Sequence, residues 1–362
     1  MLVKHYLIIT TEKNLNTKHI NIKMQLIKYL FLFVNLFSVK SFTVSQKIKQ
    51  ETSLKMFETY DIEIPTNKML VVKKKAKGFF RMIRPVNILP TLVLCSTGGY
   101  IMNPGVNLFK CQNFIVSNVI VLLIMFNSMI LNDLFDIHTD KINNPDRPLI
   151  RGDVTIKDSI VLSLSMFLMS EGLNTKFIPS VLQYIPRLAN VMILTYTPLL
   201  KRIPFIKNLS CALLVSSTLL FNGFASINTL FLNKNLAILA LATQLVFTGS
   251  FYNEMLLDIA DLSGDKENGI YTIPVLFGEI ESLKMIANIT ILNVLWCVYN
   301  LSCMFGSIHG AVLFYLCFPL FKNIVHIRDT EFSKDSIKYS VKSTIKPMII
   351  ALFYLSILSM YY

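Results

Sequence analysis

The chain has 362 residues, 53% of them hydrophobic and only 16% charged. A soluble domain carries roughly 25% charged residues, so this balance argues against an ordinary soluble protein and for an all-α polytopic membrane protein. The net charge of +13 does not indicate a nucleic-acid partner, because the basic residues sit in short loops between apolar runs, as cytoplasmic loops of membrane proteins do.

Residues 1–23 are polar and rich in Lys, Asn and Thr. The stretch MQLIKYLFLFVNLFSVKS (24–41) follows, with an apolar core at 24–39 that is short for a membrane span. It reads either as the apolar region of a signal peptide or as an additional membrane-associated helix. Residues 43–78 are polar again, so 1–78 is expected to be an N-terminal extension with a candidate targeting segment, and 79–362 the main domain. KKKAKGFFRMIRP (73–85) is basic with an aromatic pair. It suits a segment lying on an anionic membrane face, with a solvated basic run as the plain alternative.

Nine apolar segments come next, at about 86–103, 113–131, 159–175, 179–199, 208–231, 235–257, 282–300, 304–324 and 345–362. A span needs roughly 20 residues, and the third segment is short of that. Arg187, inside the fourth, must snorkel to an interface or face the bundle. Lys and Arg concentrate in the loops after segments 2, 4, 6 and 8, for example Lys141, Arg147, Arg151, Lys201, Arg202, Lys207, Lys266 and Lys322. The alternate loops hold only Lys110, Lys176 and Lys234. The positive-inside rule then places the even loops and residues 68–84 on the cytoplasmic, stromal or matrix side. The six cysteines show no CxxC or Cys/His ligand spacing and read as small hydrophobes, with no disulfide framework or zinc site.

Two acidic stretches fall on that same side. NDLFDIHTDK holds Asp133, Asp136 and Asp140, and DIADLSGDK holds Asp258, Asp261 and Asp265. Both are spaced i, i+3, i+7, which puts the three carboxylates on one helical face. Each set ends a long apolar segment running toward the cytoplasmic side, where the helix already carries partial negative charge. Such a set repels itself unless cations are present. Asn132 adds a neutral oxygen to the first set, and Glu254 lies one turn before Asp258. Hard oxygen donors of this kind suit Mg²⁺, which keeps several waters and bridges carboxylates to phosphates. Two facing clusters would hold a diphosphate through bridging metal ions. Arg147 and Lys201, with Arg202 or Lys207 near them, would take the remaining phosphate oxygens. Solvated acidic helix ends are the bland alternative for one cluster, but not for two of identical spacing at one membrane face. The match also suggests an internal pseudo-repeat.

These motifs resemble those of the UbiA superfamily of intramembrane prenyltransferases. NDLFDIHTD resembles the family's NDxxDxxxD and DIADLSGD its DxxDxxGD. RPVNILP (84–90), KINNPDRPLIRG (141–152), YTPLLKR (196–202) and NGIYTIPVLFG (268–278) extend the likeness over roughly 79–362. Arg151 stands where the family usually has Ser, and Ser263 where it usually has an acid. The resemblance implies nine transmembrane helices around a central cavity open to lipid, and Mg²⁺-dependent transfer of a prenyl chain from a polyprenyl diphosphate to a hydrophobic or aromatic acceptor inside the membrane.

It also implies roles. Asn132, Asp136, Asp258, Asp261 and Asp265 are the metal and diphosphate ligands. Asp133, Asp140 and Asp265 complete the catalytic set, one of them orienting the acceptor or taking its proton. Arg147 and Lys201 bind phosphate oxygens, and Tyr196 bonds the diphosphate or lines the pocket. His138 reads as a solvated loop histidine. The short INNPDRP stretch and Glu254 resemble the branch of geranylgeranylglyceryl-phosphate geranylgeranyltransferases, chlorophyll synthases and homogentisate prenyltransferases, the first reading closest. That implies a geranylgeranyl-length chain. The rivals are an intramembrane terpene cyclase working without an acceptor and, from another class, a cation-binding transporter. The extension fits a plastid or endomembrane location, and nothing in the sequence points to a protein partner.

Overall fold

The computed structural model describes residues 68–361, except 106, 138–139, 142–143, 197–198, 228–233 and 268. The apolar stretch at 24–39, the rest of the extension to residue 67, His138 and the side chain of Arg202 lie outside the described residues. Eleven α-helices are present and no strand occurs among the described residues. They are α1 (Lys68–Met82), α2 (Ile88–Met102), α3 (Gln112–Phe135), α4 (Ile156–Phe177), α5 (Tyr184–Tyr196), α6 (Ile206–Ala225), α7 (Lys234–Ala260), α8 (Leu262–Glu267), α9 (Ile273–Phe305), α10 (Ser307–Asp329) and α11 (Lys334–Tyr361).

Each of the nine apolar segments forms one helix, α2–α7 and α9–α11 in order. Seven are long and apolar enough to cross a membrane: Pro85–Met102, Gln112–Phe135, Ile206–Ala225, Asn235–Ala260, Ile273–Phe305, Ser307–Asp329 and Lys334–Tyr361. The other two differ for readable reasons. Helix α4 carries Lys157, Asp158, Glu171 and Lys176 within its 22 residues. Helix α5 has only 13 residues, about 20 Å at 1.5 Å per residue, against an apolar layer of about 30 Å. Arg187 Nε of α5 donates to Glu171 Oε1 of α4 at 2.7 Å, so this arginine is paired between two helices. The chain is an integral, multi-pass membrane protein.

Helix α7 sits at the centre, packed against α2, α6, α9 and α11, while α3 packs on α4, α5 and α6. Tyr252, Met255 and Leu256 of α7 are fully buried in the largest apolar cluster. Lipid tails are as apolar as Leu, so close backbone approach and interhelical hydrogen bonds must help hold such helices together. Both are present. A Cβ added at Gly98 of α2 would lie 2.3 Å from the Leu219 carbonyl oxygen of α6. Next to that contact Ser226 Oγ donates to the Gly99 carbonyl (3.2 Å) and Asn103 Nδ2 to the Ser226 carbonyl (2.8 Å). Elsewhere Ser117 donates to Asn222 (2.7 Å), Ser163 to Asn127 (2.6 Å), Gln244 to Asn293 (3.0 Å) and Thr344 to Asn253 (3.1 Å), each across a helix pair.

Two local features position the ends of the bundle. Thr155 caps α4 by accepting from the Asp158 N–H at 3.1 Å, and Asp158 accepts from the Thr155 N–H at 3.4 Å. The chain breaks near the start of α9 at Gly278 (φ 81°, ψ 168°), a backbone conformation only glycine adopts readily. Helix α1 docks on the start of α4: Lys75 pairs with Asp158 at 2.8 Å and Lys74 with Asp153 at 3.5 Å, while Met82 is buried with Ile130 and Val154. The six cysteines are all unbonded; Cys95, Cys297 and Cys317 are buried and Cys303 is exposed.

The α2–α6 contact is testable. Gly98→Ala is expected to cost about 1–3 kcal/mol through overpacking, and Gly98→Leu to abolish the monodisperse protein in detergent. Gly172→Ala, with nothing within 4 Å of the added Cβ, should leave the thermal midpoint unchanged or slightly raised. Equal melting of Gly98→Ala and Gly172→Ala would show that the close approach contributes nothing.

Candidate active site

Both aspartate sets lie where helices of the bundle end. Asn132 and Asp133 are in the last turn of α3 and Asp136 is its C-cap, its N–H bonded to the Asn132 carbonyl at 2.9 Å. The same i to i−4 pattern continues from Asp140 N–H to the Asp136 carbonyl (2.8 Å), which keeps the three acids on one face. In the second set Asp258 is in the last turn of α7, Asp261 N–H bonds to the Leu257 carbonyl (3.0 Å) and Asp265 N–H to the Asp261 carbonyl (2.9 Å).

Every carboxylate of the first set is met by a cation. Asp133, only 3% exposed, accepts from Arg84 Nη2 at 3.0 Å and is in direct contact with Arg147 Nη1. The same Arg147 nitrogen reaches Asp140 Oδ2 at 2.9 Å, and Asn144 Nδ2 donates to Asp140 Oδ1 at 3.1 Å. Lys201 Nζ donates to Asp136 Oδ2 at 2.6 Å. In the second set buried Asp258 contacts Lys207 Nζ directly and accepts from Asn208 Nδ2 at 2.8 Å. Glu254, Asp258 and Asp265 all surround Lys207 electrostatically. Asp261 is exposed at the turn between α7 and α8.

Lys201 and Lys207 show how the two sets are brought together. They are six residues apart in sequence, a separation that extended chain spans in at most about 20 Å. One holds the first set and the other the second. The segment from Lys201, after α5, to Lys207, in the first turn of α6, therefore clips both motifs into one region, and α6 packs directly on α7. Tyr196, at the end of α5, accepts a hydrogen bond from the Cys211 thiol at 3.2 Å, which fixes the phenol against α6 beside the second set.

The electrostatics follow from burial. Burial raises the Asp140 carboxyl above the ordinary range; Asn144 and Arg147 oppose the shift, and Asp136 and Asp133 add to it. Burial likewise raises Asp265, with Lys207 opposing and Asp258 and Asp261 adding to it. Asp265 Oδ2 is buried with no hydrogen bond of good geometry, although the Thr272 side chain lies near enough to stabilise the charged carboxylate, and such an atom normally finds a donor or a cation.

The donor set fits Mg²⁺ of one particular kind. All the acids are hard oxygen donors, yet among the described residues no three His, Cys, Asp or Glu side chains gather as a self-sufficient metal site. Mg²⁺ commonly takes one or two carboxylates and completes its shell with water and phosphate oxygens. Asp261 is exposed, Asp136 is half-buried with one oxygen on Lys201, and Asp265 has one buried oxygen without a well-placed donor, so these three have oxygens to offer it.

The sequence model of the UbiA prenyltransferase family matches residues 91–353. The chain belongs to the UbiA prenyltransferase family. Among similar UbiA proteins, one from Natronomonas pharaonis named digeranylgeranylglyceryl phosphate synthase is 28% identical over 222 residues, 61% of this chain and 76% of that protein. The same-named protein of Methanosphaera stadtmanae is 25% identical over 253 residues, covering 69% and 85%. Among solved structures, one described as digeranylgeranylglyceryl phosphate synthase in membranes has a TM-score of 0.62 at 21% identity, covering 80% of this chain and all of that one. A UbiA homologue of Archaeoglobus fulgidus bound to GPP and Mg²⁺ has a TM-score of 0.58 at 14% identity, covering 79% of this chain and 100% of that one. These likenesses establish the membrane-bundle fold of UbiA proteins for this chain.

The structure adds residues that the sequence alone leaves unassigned. Arg84 reaches Asp133 across 49 positions, and Asn208 reaches Asp258. Arg84 sits in the RPVNILP opener, and the placing of residues 68–84 on the same membrane side as both motifs was the available signal. Arg147 and Lys201, expected on phosphate oxygens, contact motif carboxylates directly. The buried pair at α6–α7 is open to test. Lys207→Met leaves Asp258 with Asn208 alone, so the variant should lose about 3 kcal/mol of stability and melt clearly lower in detergent, whereas Lys207→Arg keeps most of it. An unchanged midpoint for Lys207→Met would mean that the pair does not hold the motif.

Proposed function

We propose that this family member transfers a prenyl chain, geranylgeranyl in length, from a polyprenyl diphosphate to a lipid or aromatic acceptor within the membrane, with Mg²⁺ as cofactor. The observation that carries the reading is the clipping of two aspartate sets by Lys201 and Lys207 of one short segment. A lone acidic helix end would need no such arrangement. The names of the similar proteins, and the GPP and Mg²⁺ bound to the Archaeoglobus fulgidus homologue, support the same class of donor and the same metal.

Each group then has a task. Asn132, Asp136, Asp258, Asp261 and Asp265 would hold Mg²⁺, which supplies neutralisation of the diphosphate and so makes it a better leaving group. Arg147, Lys201, Lys207 and Arg84 are positioned to exchange a carboxylate for a phosphate oxygen as the donor binds, and charge-assisted bonds of this kind are the strong ones. The C1–O bond of the donor breaks, the electron pair leaves with the diphosphate, and positive charge develops on the allylic carbon. The acceptor nucleophile bonds to C1 and its proton is lost. Asp140, outside that ligand set and with burial that favours holding a proton, is the carboxyl suited to take it. A helix bundle excludes the water that would otherwise capture the cation.

Asp261 gives the clean test. It is exposed at a turn, so Asp261→Asn should leave the fold intact while abolishing product formation from geranylgeranyl diphosphate. Asp136→Asn should do the same, and EDTA should silence the wild type until Mg²⁺ is restored. Products identified by mass decide the reaction. Undiminished turnover in either mutant would remove the metal–diphosphate assignment, and a cyclised hydrocarbon without acceptor would replace the transferase reading with a cyclase.

A further inference from the structure

Beside the first aspartate set lies a shallow cavity of about 320 Å³, lined by Arg81, Asn144, Pro145, Asp146, Arg147 and Pro148. Two guanidiniums and an amide face it from different elements. Arg147 is already bound to Asp133 and Asp140, with Nη1 the nearest nitrogen to each, and a guanidinium carries five N–H donors in all. Arg81 differs from the cations of the aspartate motifs. Arg84, Arg147, Lys201 and Lys207 each have a carboxylate, whereas no ion pair to Arg81 occurs among the described residues. Arg81 ends α1, and its carbonyl accepts from the Arg84 N–H at 3.3 Å. The turn that sends Arg84 toward Asp133 therefore holds Arg81 at the mouth of the same site. Asp146, the acid of the lining, has a side chain 91% exposed, where water screens it.

The geometry points to this cavity as the subsite for a phosphate-bearing acceptor headgroup, with Arg81 as the residue that selects it. The inference rests on the transferase reading and narrows its acceptor to an anionic amphiphile. The cavity is too small and open for a whole lipid but suits a headgroup. Exposed Val86 and Leu89, just after Arg84, offer the apolar surface on which the acceptor's chain would lie. Guanidinium forks match phosphate geometry, and Arg147 joins the subsite to the aspartates where the chain is transferred.

The same charge could serve the donor's diphosphate or a bulk anionic lipid, so the test separates them. Wild type and Arg81→Gln, in nanodiscs of phosphatidylcholine only, would be titrated with geranylgeranylglyceryl phosphate, with geranylgeranylglycerol and with geranylgeranyl diphosphate. Arg81 is exposed, and its replacement leaves no carboxylate stranded. The expected result is that Arg81→Gln weakens the phosphate-bearing acceptor by about tenfold or more, leaves the phosphate-free alcohol and the diphosphate unchanged, and raises acceptor KM without a matching fall in kcat. Arg81→Lys should recover part of the loss. Equal affinity in Arg81→Gln, an equal loss for the alcohol, or a loss confined to the diphosphate would each overturn the inference. Because binding is read without turnover, a wild type that binds the acceptor but forms no product with any acceptor would sink the transferase reading alone.

Discussion

Buried carboxylates in a membrane protein must be neutralised, and here that requirement organises the functional end of the bundle. Asp133 and Asp258 are each 3% exposed. An unpaired charge at such a position would cost several kcal/mol, so each must recruit a cation from another element. Asp133 recruits Arg84 from the turn before α2 and Arg147 from the loop after α3; Asp258 recruits Lys207 from α6. These contacts fix the loops over the helix ends. They also gather positive charge around a place where acids alone would repel a diphosphate. The same pairs that hold the fold bring Arg84, Arg147 and Lys207 to the helix ends.

The rest of the bundle serves that arrangement. Helix α7 leads into the second set and is the most enclosed of the candidate spans, with Tyr252, Met255 and Leu256 fully buried within the two turns before Asp258. Its position is set by packing on α6, α9 and α11 and by interhelical amides and hydroxyls. In lipid these bonds have no water to compete with, though each contributes only about 1 kcal/mol. Close approach at Gly98 then holds α2 against α6, the helix from which Lys207 and Asn208 reach the aspartates. A disturbance at the α2–α6 contact would therefore be felt at the site.

Much of this was legible in the sequence. The nine apolar runs all became helices because twenty or so apolar residues in lipid must satisfy their backbone internally. The i, i+3, i+7 spacing placed each aspartate set on one face because the helical bonding continues past the helix end. What spacing does not specify is which partner each acid takes. Arg84 is 49 positions from Asp133, and only the folded turn with Arg84 in a left-handed conformation (φ 48°) brings them together. The unequal burial of Asp258 and Asp261 was hidden too. They are three residues apart, but one ends α7 inside the bundle and the other sits at the turn. Nor did hydropathy show that α5 would be only 13 residues long.

The central claim is that the two aspartate sets form one diphosphate site. A double-mutant cycle with Asp136→Asn and Asp261→Asn, read as Mg²⁺-dependent binding of a non-reactive geranylgeranyl diphosphate analogue, tests it most directly. Groups that act on one ligand are coupled, and independent ones add. The account predicts that each single mutant loses most of the affinity and that the double mutant loses little more. Additive losses, or wild-type affinity in Asp261→Asn, would mean that the two sets do not share a ligand.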